Sequence, residues 1–384
     1  MKKYDLIIAG AGPAGLTLAW KVAEKGYSVL VLDKKSKASE VSYLTAGSRI
    51  DFEEWDLPKK IAHPLNRLYF ASKNEYFIKD VEVFMLNRRT LLNALEKKAR
   101  KHGAKIKYGS IIDKVDFSNK EIDKISYSKR KGEFAAKARF YADCSGIGRV
   151  FERYYNIVGN HKVEKALGIE YVVPLKSKPN TLDLYVGSHF NGGYGWLCPL
   201  NKKHAILGYG TFNKANFPKL NSFIESMFEF ERVNERVTNR PLEVNSGLLR
   251  TGAPLKNFTR ENLVLVGDVA LQVNPLIGEG VRFVMDSARM ASAAIDKAIK
   301  KDKKQLKIYD NMWVKKYYHI YSICYKIQKV LRLYSCNDKI VDASVRYAKK
   351  FPDKMVYDAL WHYKFDRNLM KTAFKEVIMS AFRK

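Results

Sequence analysis

The chain has 384 residues, of which 46% are hydrophobic and 28% charged, a composition that excludes a disordered protein and allows two or three packed units. Its four cysteines have no CxxC spacing, so the sequence predicts neither a disulfide framework nor a metal site and favours a reduced, cytoplasmic setting. The formal net charge of +29 fits a lysine-rich solvated surface, an anionic membrane surface or nucleic acid, and without a recognisable nucleic-acid module the last is the least favoured partner.

The N-terminal segment carries a glycine pattern between an apolar run and a helical pattern. Residues 6–9 suit a buried parallel strand, and Gly10, Gly12 and Gly15 follow at once. In such a loop the first glycine allows a tight turn, the second lets the backbone approach a pyrophosphate, and the third permits close packing of helix on strand. The free N–H groups at the start of the helix then face the phosphates.

A second apolar run, residues 28–32, ends in Asp33. An acid at this position can accept a hydrogen bond from a ribose hydroxyl, whereas a phosphorylated ribose favours a basic residue. Together with the glycines, Asp33 predicts a dinucleotide-binding unit for FAD or NAD rather than NADP.

The middle of the chain alternates between strand and helix patterns. In chain order, the predicted elements are two or three strands within residues 66–85, a helix over 87–102, a parallel strand at 104–108, a β-meander over 111–142, a β-rich region over 164–212 and a helical segment over 217–238. The first part of this order gives the βαβ rhythm of a parallel sheet.

A second glycine pattern follows a buried strand near residue 265. The strand ends in Gly267 and Asp268, and Gly278-Glu279-Gly280 opens another helix. Gly267 allows a close backbone approach, Asp268 can accept a hydrogen bond from a ribityl hydroxyl, and the helix N-terminus can stabilise negative charge on a reduced isoalloxazine. A strand–loop–helix turn without a ligand can carry the same residue types, so the interpretation of this pattern as a cofactor site depends on the first motif.

Taken together, these motifs resemble those of the flavoproteins of the p-hydroxybenzoate hydroxylase type. The resemblance rests on Gly10 to Gly15 with Asp33, Arg88 in its Leu-Asn-Arg-Arg-Thr-Leu context, Asp143 to Gly146, and the second glycine pattern. Within that group, Tyr194-Gly195-Trp196-Leu197-Cys198-Pro199 followed by Gly208-Tyr209-Gly210 is similar to the Tyr-x-Trp-x-x-Pro and Gly-x-Gly signature of the geranylgeranyl reductases. The alternative interpretation of the aromatic pair is core packing of a β-sheet.

This resemblance implies an α/β fold. A discontinuous Rossmann-like FAD-binding domain would comprise residues 1–65, 86–160 and 255–300, with an inserted antiparallel β-sheet substrate domain at 66–85 and 161–254 and a C-terminal helical region at 301–384. The implied FAD contacts are Gly10, Gly12, Ala14, Gly15, Asp33, Gly47, Arg88, Ile112, Asp268, Gly278, Gly280 and Val281. The implied substrate contacts are Tyr194 and Trp196, and no catalytic residue is assigned, with Tyr43, Tyr194 and water at the flavin as candidate proton donors.

The function that the resemblance implies is saturation of C=C bonds in the geranylgeranyl chains of lipids by reduced flavin. Because the sequence has no second GxGxxG, an external electron donor, NAD(P)H or a ferredoxin-like protein, is expected. The alternatives are an aromatic or polyketide monooxygenase on the same fold and a non-enzymatic flavin-containing lipid or nucleic-acid carrier. Two positions depart from the family: Leu44-Thr45 stands where a cysteine is common, and Leu271 where glycine is usual.

Between residues 313 and 334 a stripe of lysines runs along a wide apolar face. One interpretation is a basic amphipathic helix at the membrane surface, which would make the protein peripheral. The other is a helix that caps the substrate domain with its apolar face inward. No apolar run reaches the roughly 18 residues that a membrane-spanning helix needs.

Overall fold

A computed structural model describes residues 1–45, 47–129, 132–159, 161–366 and 371–372. The strands are β1 (Lys2–Ala9), β2 (Val29–Asp33), β3 (Gly47–Ser48), β4 (Ala62–Ala71), β5 (Tyr76–Leu86), β6 (Lys105–Tyr108), β7 (Ser110–Ser118), β8 (Glu121–Lys129), β9 (Gly132–Asp143), β10 (Val163–Pro174), β11 (Thr181–Tyr185), β12 (Gly193–Pro199), β13 (His204–Thr211), β14 (Glu243–Gly252), β15 (Thr259–Arg260) and β16 (Leu263–Leu265). The helices are α1 (Pro13–Ala23), α2 (Arg88–Lys101), α3 (Glu152–Tyr155), α4 (Leu220–Ser226), α5 (Glu231–Arg236), α6 (Val281–Lys300), α7 (Lys307–Trp313), α8 (His319–Tyr334), α9 (Asp338–Lys349) and α10 (Asp353–Trp361).

The chain divides into two compact units, and unit 1 comprises residues 1–41, 88–164 and 249–325. Its sheet has the order β15-β16-β9-β1-β2-β6, with parallel pairing from β16 through to β6, and the β7–β8 hairpin joins it through β9. Strand β2 is buried along its whole length and β1 from Leu6 to Ala9, as expected for parallel strands with helices on both faces. The predicted Rossmann-like α/β fold is confirmed.

Unit 2 comprises residues 42–87, 165–248 and the described residues from 326 onward. Its sheet has the order β14-β10-β13-β12-β11-β4-β5-β3. Neighbouring strands from β10 to β5 pair antiparallel, except that β4 and β11 run parallel. One face of the sheet packs against α4 and α5 in a buried cluster that includes Ile169, Leu197, Leu207 and Ile224. This cluster is the hydrophobic core of unit 2.

The observed units differ from the expected boundaries at several places, among them residues 42–65 and 301–325. Residues 42–65 were expected with the FAD-binding domain but lie in unit 2, because β3 and β4 both pair with β5. Residues 301–325, expected in a separate helical region, lie in unit 1. There α7 packs against α6, and the Tyr309 hydroxyl donates a hydrogen bond to the Leu265 carbonyl at 3.1 Å. Of the expected helical region, residues 367–370 and 373–384 lie outside the described residues.

The segment from 313 to 334 is helical, with a π-helical stretch at Val314–Tyr318 between α7 and α8. Trp313 and Tyr321 are fully buried and pack in unit 1, where Trp313 donates to the Ser287 hydroxyl at 3.1 Å. Over this part the apolar face is therefore turned inward and packs within unit 1. No helix among the described residues has the length and apolar character needed to cross a membrane.

Candidate functional site

The first glycine loop of unit 1 leaves open space at one of its three glycines. Gly10 has a φ of +102°, and a Cβ there would lie 2.5 Å from the Cys144 carbonyl oxygen. A Cβ at Gly15 would lie 1.9 Å from the Gly10 carbonyl oxygen, whereas a Cβ at Gly12 would meet no atom within 4 Å. Gly10 and Gly15 are thus required by packing within unit 1, and Gly12 borders a space that a pyrophosphate can enter.

The helix behind this loop offers its amide groups to that space. Gly12 is the N-cap of α1, Pro13 is at its start, and none of the described side chains accepts a capping hydrogen bond there. Uncapped N–H groups and the positive end of the helix dipole together favour an anionic ligand. Ala14, an expected cofactor contact, lies in this first turn and is buried.

Asp33, at the end of β2, is hydrogen-bonded to the glycine loop. Its Oδ2 accepts a hydrogen bond from the Ala11 amide at 2.5 Å and its Oδ1 accepts one from the Lys35 amide at 2.8 Å. A carboxylate can accept about four hydrogen bonds, so capacity remains for a ribose hydroxyl. The acid that the sequence assigned to the ribose therefore also fixes the loop that faces the phosphates.

The second glycine motif lies directly against the first. Gly267 has a φ of +96°, and a Cβ there would come within 3.2 Å of the Ala14 Cβ. Burial raises the pKa of Asp268 to about 6, while the positive charge of Arg88 at the start of α2 works in the opposite direction. Unit 1 thus brings together four of the expected cofactor contacts, which are Gly12, Ala14, Arg88 and Asp268.

The turn before α6 completes this arrangement. The Gly278 amide donates to the Asn274 carbonyl at 3.0 Å, and the Asn274 amide donates to the Glu279 carbonyl at 2.9 Å. Gly280 is the N-cap of α6, again with none of the described side chains capping it, and Val281 is the first residue of the helix. The helix therefore begins with uncapped amides, as expected for stabilising a reduced flavin. Leu271 retains a left-handed φ of +56°, the conformation that makes glycine usual there.

The aromatic motif of unit 2 lies on the sheet face opposite the hydrophobic core. Trp196 of β12 pairs with Gly208 of β13, which pairs with Glu170 of β10. Tyr194 pairs with Gly210 one row further along. Directly paired residues project to the same face, and the residues between them, such as Leu197, face the core. The predicted substrate residues are therefore side by side, with ring centroids 5.5 Å apart.

Glycines form the floor beneath Trp196. A Cβ at Gly208 would lie 2.1 Å from the indole Cε2, one at Gly210 would lie 3.4 Å from Cζ3, and one at Gly168 would lie 3.9 Å from Cη2. The indole ring thus rests on bare backbone of β13 and β10. This contact gives the Gly-x-Gly part of the signature a physical reason, because a side chain at Gly208 would occupy the position of the ring.

Comparison with known proteins agrees with this geometry. The family model described as FAD dependent oxidoreductase matches residues 5–154, which include the first glycine loop, Asp33 and Arg88. The chain is similar to the FAD-dependent oxidoreductases over these residues. It is accordingly an enzyme with FAD as its cofactor, and the uncapped helix starts and the open space at Gly12 fit that group.

Two relatives are similar to this FAD-dependent oxidoreductase over most of its length. It is 26% identical to digeranylgeranylglycerophospholipid reductase 2 of Methanopyrus kandleri over 342 residues, covering 85% of this chain and 86% of the relative. It is 27% identical to digeranylgeranylglycerophospholipid reductase of Methanocella arvoryzae over 312 residues, covering 78% and 79%. The resemblance to the geranylgeranyl reductases inferred from the motifs is confirmed.

Solved structures show the same fold. A geranylgeranyl bacteriochlorophyll reductase-like protein from Thermoplasma acidophilum superposes with a TM-score of 0.85 at 18% identity, covering 97% of this chain and 99% of that protein. A flavin-dependent brominase gives 0.69 at 14% identity, covering 100% and 95%. At these identities the likeness is one of architecture.

Two expected FAD contacts lie outside the glycine loops in the sequence. Ile112 is on β7 in unit 1, half-buried and paired with Tyr127. Gly47 begins β3 in unit 2, where it pairs with Met85. Their contact with the cofactor stays a prediction.

Two further charged residues of this FAD-dependent oxidoreductase lie buried near its glycine motifs. The Asp143 carboxylate accepts hydrogen bonds from the amides of Ser145, Phe151 and Glu152, and therefore organises the turn after β9. Arg250, only 4% exposed, donates to the Val269 carbonyl at 2.9 Å, and burial lowers its pKa. In the sequence Arg250 is the single cation within β14.

Proposed function

We propose that this FAD-dependent oxidoreductase saturates C=C bonds in the isoprenoid chains of lipids. The observation that carries the proposal is the face of the unit 2 sheet opposite its hydrophobic core. There Trp196 continues a row of half-buried apolar side chains formed with Leu184 and Phe70. An extended hydrocarbon chain matches such a row, because it can bury apolar surface along its whole length without needing polar partners. The names of the two reductase relatives support the same substrate class.

Bound reduced FAD supplies the hydride for this reduction, and the chain's own residues bind the alkene and exclude water. In unit 2 the apolar row of Phe70, Leu184 and Trp196 would bind the hydrocarbon. Burial raises the pKa of Tyr194 above its ordinary value, and a tyrosine hydroxyl is protonated at neutral pH even without such a shift. Tyr194 therefore remains a candidate for holding a proton beside the chain, as does Tyr43.

An external electron donor, NAD(P)H or a ferredoxin-like protein, is part of the proposal, since the sequence contains no second dinucleotide fingerprint. Contact with a membrane surface also stays a prediction. It is supported by the exposed Leu331 and Leu333 near the end of α8, 54% and 77% accessible, and by the net charge of +29.

The test is anaerobic. The purified protein, its flavin reduced with dithionite, is mixed with digeranylgeranylglycerophospholipid, and flavin reoxidation is followed by absorbance and the lipid by mass spectrometry. We expect reoxidation together with a mass gain of two hydrogens for each reduced double bond. Trp196→Ala should retain the flavin spectrum and lose at least tenfold in lipid turnover, whereas Trp55→Phe, a change of a tryptophan elsewhere in unit 2, should not.

Other outcomes would decide against the proposal. Consumption of O2 with NAD(P)H and an aromatic substrate, without lipid reduction, would favour the monooxygenase. Binding of flavin and lipid without either reaction would favour a carrier.

A further inference from the structure

Glu170 is a buried carboxylate next to the aromatic motif, and it belongs to no pattern noted in the sequence. It projects from β10 in the same cross-strand row as Trp196 and is 1% exposed. Its oxygens accept hydrogen bonds from the Leu44 amide, from the Thr45 amide at 3.1 Å and from the Thr45 hydroxyl at 2.5 Å. A buried carboxylate is costly unless hydrogen bonds satisfy it, so these donors hold the segment at 44–45 on the sheet.

The Thr45 hydroxyl also contacts the indole. The Trp196 Nε1–H donates to the Thr45 Oγ1 at 3.0 Å. An indole N–H can only donate and a hydroxyl has one proton, so the direction of both bonds is fixed. Trp196 donates to Thr45, and Thr45 donates to Glu170.

This chain of hydrogen bonds is a directional restraint at one edge of a ring whose face lies on bare backbone. The glycines at 168, 208 and 210 have no side chains to limit sliding of the indole in its own plane. A hydrogen bond at one edge of the ring fixes the in-plane orientation, because N–H to O geometry weakens steeply away from linearity. The orientation of the apolar platform thus depends on the 44–45 segment.

We propose that Glu170 and Thr45 are positioning residues that set the orientation of the Trp196 indole and thereby the fit of the isoprenoid chain. The effect on the fit of the isoprenoid chain rests on the proposed function, whereas the orientation of the indole is independent of it. The segment Leu44-Thr45 is also where this sequence lacks the cysteine that is common in the family it resembles.

The experiment compares Thr45→Val, which removes the hydroxyl at nearly constant shape, with Thr45→Ser, which keeps it. The emission of Trp196 among the five tryptophans is obtained by subtracting the spectrum of Trp196→Phe. We expect the Trp196 emission to shift in Thr45→Val and to stay within error of wild type in Thr45→Ser. This readout needs no lipid, so it stands even where lipid reduction itself is not observed.

In the lipid reduction assay, we expect Thr45→Val to lower kcat/KM threefold to tenfold, because the variant loses one neutral hydrogen bond and this range is about what one such bond contributes. Thr45→Ser should remain within about twofold. In the Trp196→Phe background the same Thr45→Val change should have no further effect, because the hydroxyl acts through the indole. Glu170→Gln should reproduce the emission shift of Thr45→Val. Unchanged emission in Thr45→Val, or an equal loss of activity with and without the indole, would overturn the proposal.

Discussion

Replacing Gly208 with alanine tests the contact between the glycine floor and the indole. The added Cβ would lie 2.1, 2.3 and 2.4 Å from the Cε2, Cζ2 and Nε1 atoms of Trp196. Ordinary contact begins near 3.4 Å, so the ring must move by about 1.3 Å. The strand has little freedom to move instead, because β13 pairs with β10 on one side and β12 on the other.

The expected cost follows from overpacking, which typically destabilises a well-packed site by about 1–3 kcal/mol. For a unit of this size that corresponds to a fall of about 2–12 °C in the melting temperature. Gly210→Ala is the matched control, since its Cβ would lie 3.4 Å from the same ring. Neither glycine has a positive φ, so Gly210→Ala should be neutral or slightly stabilising, by about 0.4–1 kcal/mol.

Calorimetry of both variants measures these shifts, and tryptophan emission reports whether the ring has moved. In a Trp196→Ala background the cost of Gly208→Ala should disappear, because there is no ring to displace. Equal melting temperatures for Gly208→Ala and Gly210→Ala, with unchanged emission, would refute the account of the floor.

Two further predictions concern unit 1. Gly12→Val should fold with a melting temperature close to that of the cofactor-free wild type but raise the FAD dissociation constant at least tenfold, because its side chain enters the open space beside the loop. Gly15→Ala, by contrast, should be destabilised outright by its clash with Gly10. Purification of Gly12→Val with stoichiometric FAD would contradict this prediction. Because burial raises the pKa of Asp268 to about 6, the folded chain binds that proton more tightly than the unfolded chain, and stability contributed by the protonated acid is lost as the pH rises. In chemical denaturation of the cofactor-free protein, Asp268 should therefore contribute about 2–3 kcal/mol less to the free energy of unfolding at pH 7 than at pH 4. Asp268→Asn should lack this contribution. An identical pH dependence of stability in both proteins would contradict the prediction.

Local patterns predicted the parts of unit 1 that are local in sequence. The strand–glycine–helix order around Gly12 and the acid at the end of β2 lie within some thirty residues, and each has a backbone reason that shows in the residue types. The helix from Arg88 and the β7–β8–β9 meander are likewise set by short-range periodicity. What the sequence did not provide was the contact of Gly267 with Ala14, since it joins segments about 250 residues apart.

Unit boundaries and the surroundings of Trp196 depended on strand pairing that periodicity does not encode. Residues 42–65 show weak periodicity, and their assignment to unit 2 follows from pairing with β5. Glu170 is an acid in a strand pattern, which reads as a solvated position until the register places it opposite Gly208. The Thr45 hydroxyl reaches Trp196 across 151 positions of sequence.

The register also bears on the two interpretations of the aromatic motif. Core packing predicts Tyr194 and Trp196 on the face that carries Leu197 and Leu207, enclosed by α4 and α5. The observed pairing places both rings on the other face, partly exposed, while the core is filled by the residues between them. A large ring that lies on glycines and keeps a directional hydrogen bond is poorly explained by burial alone, because aliphatic side chains would fill such a space without a polar partner. The glycines, the threonine and the buried acid together favour a surface shaped for a ligand, and the hydrocarbon character of its neighbours Leu184 and Phe70 favours an apolar one.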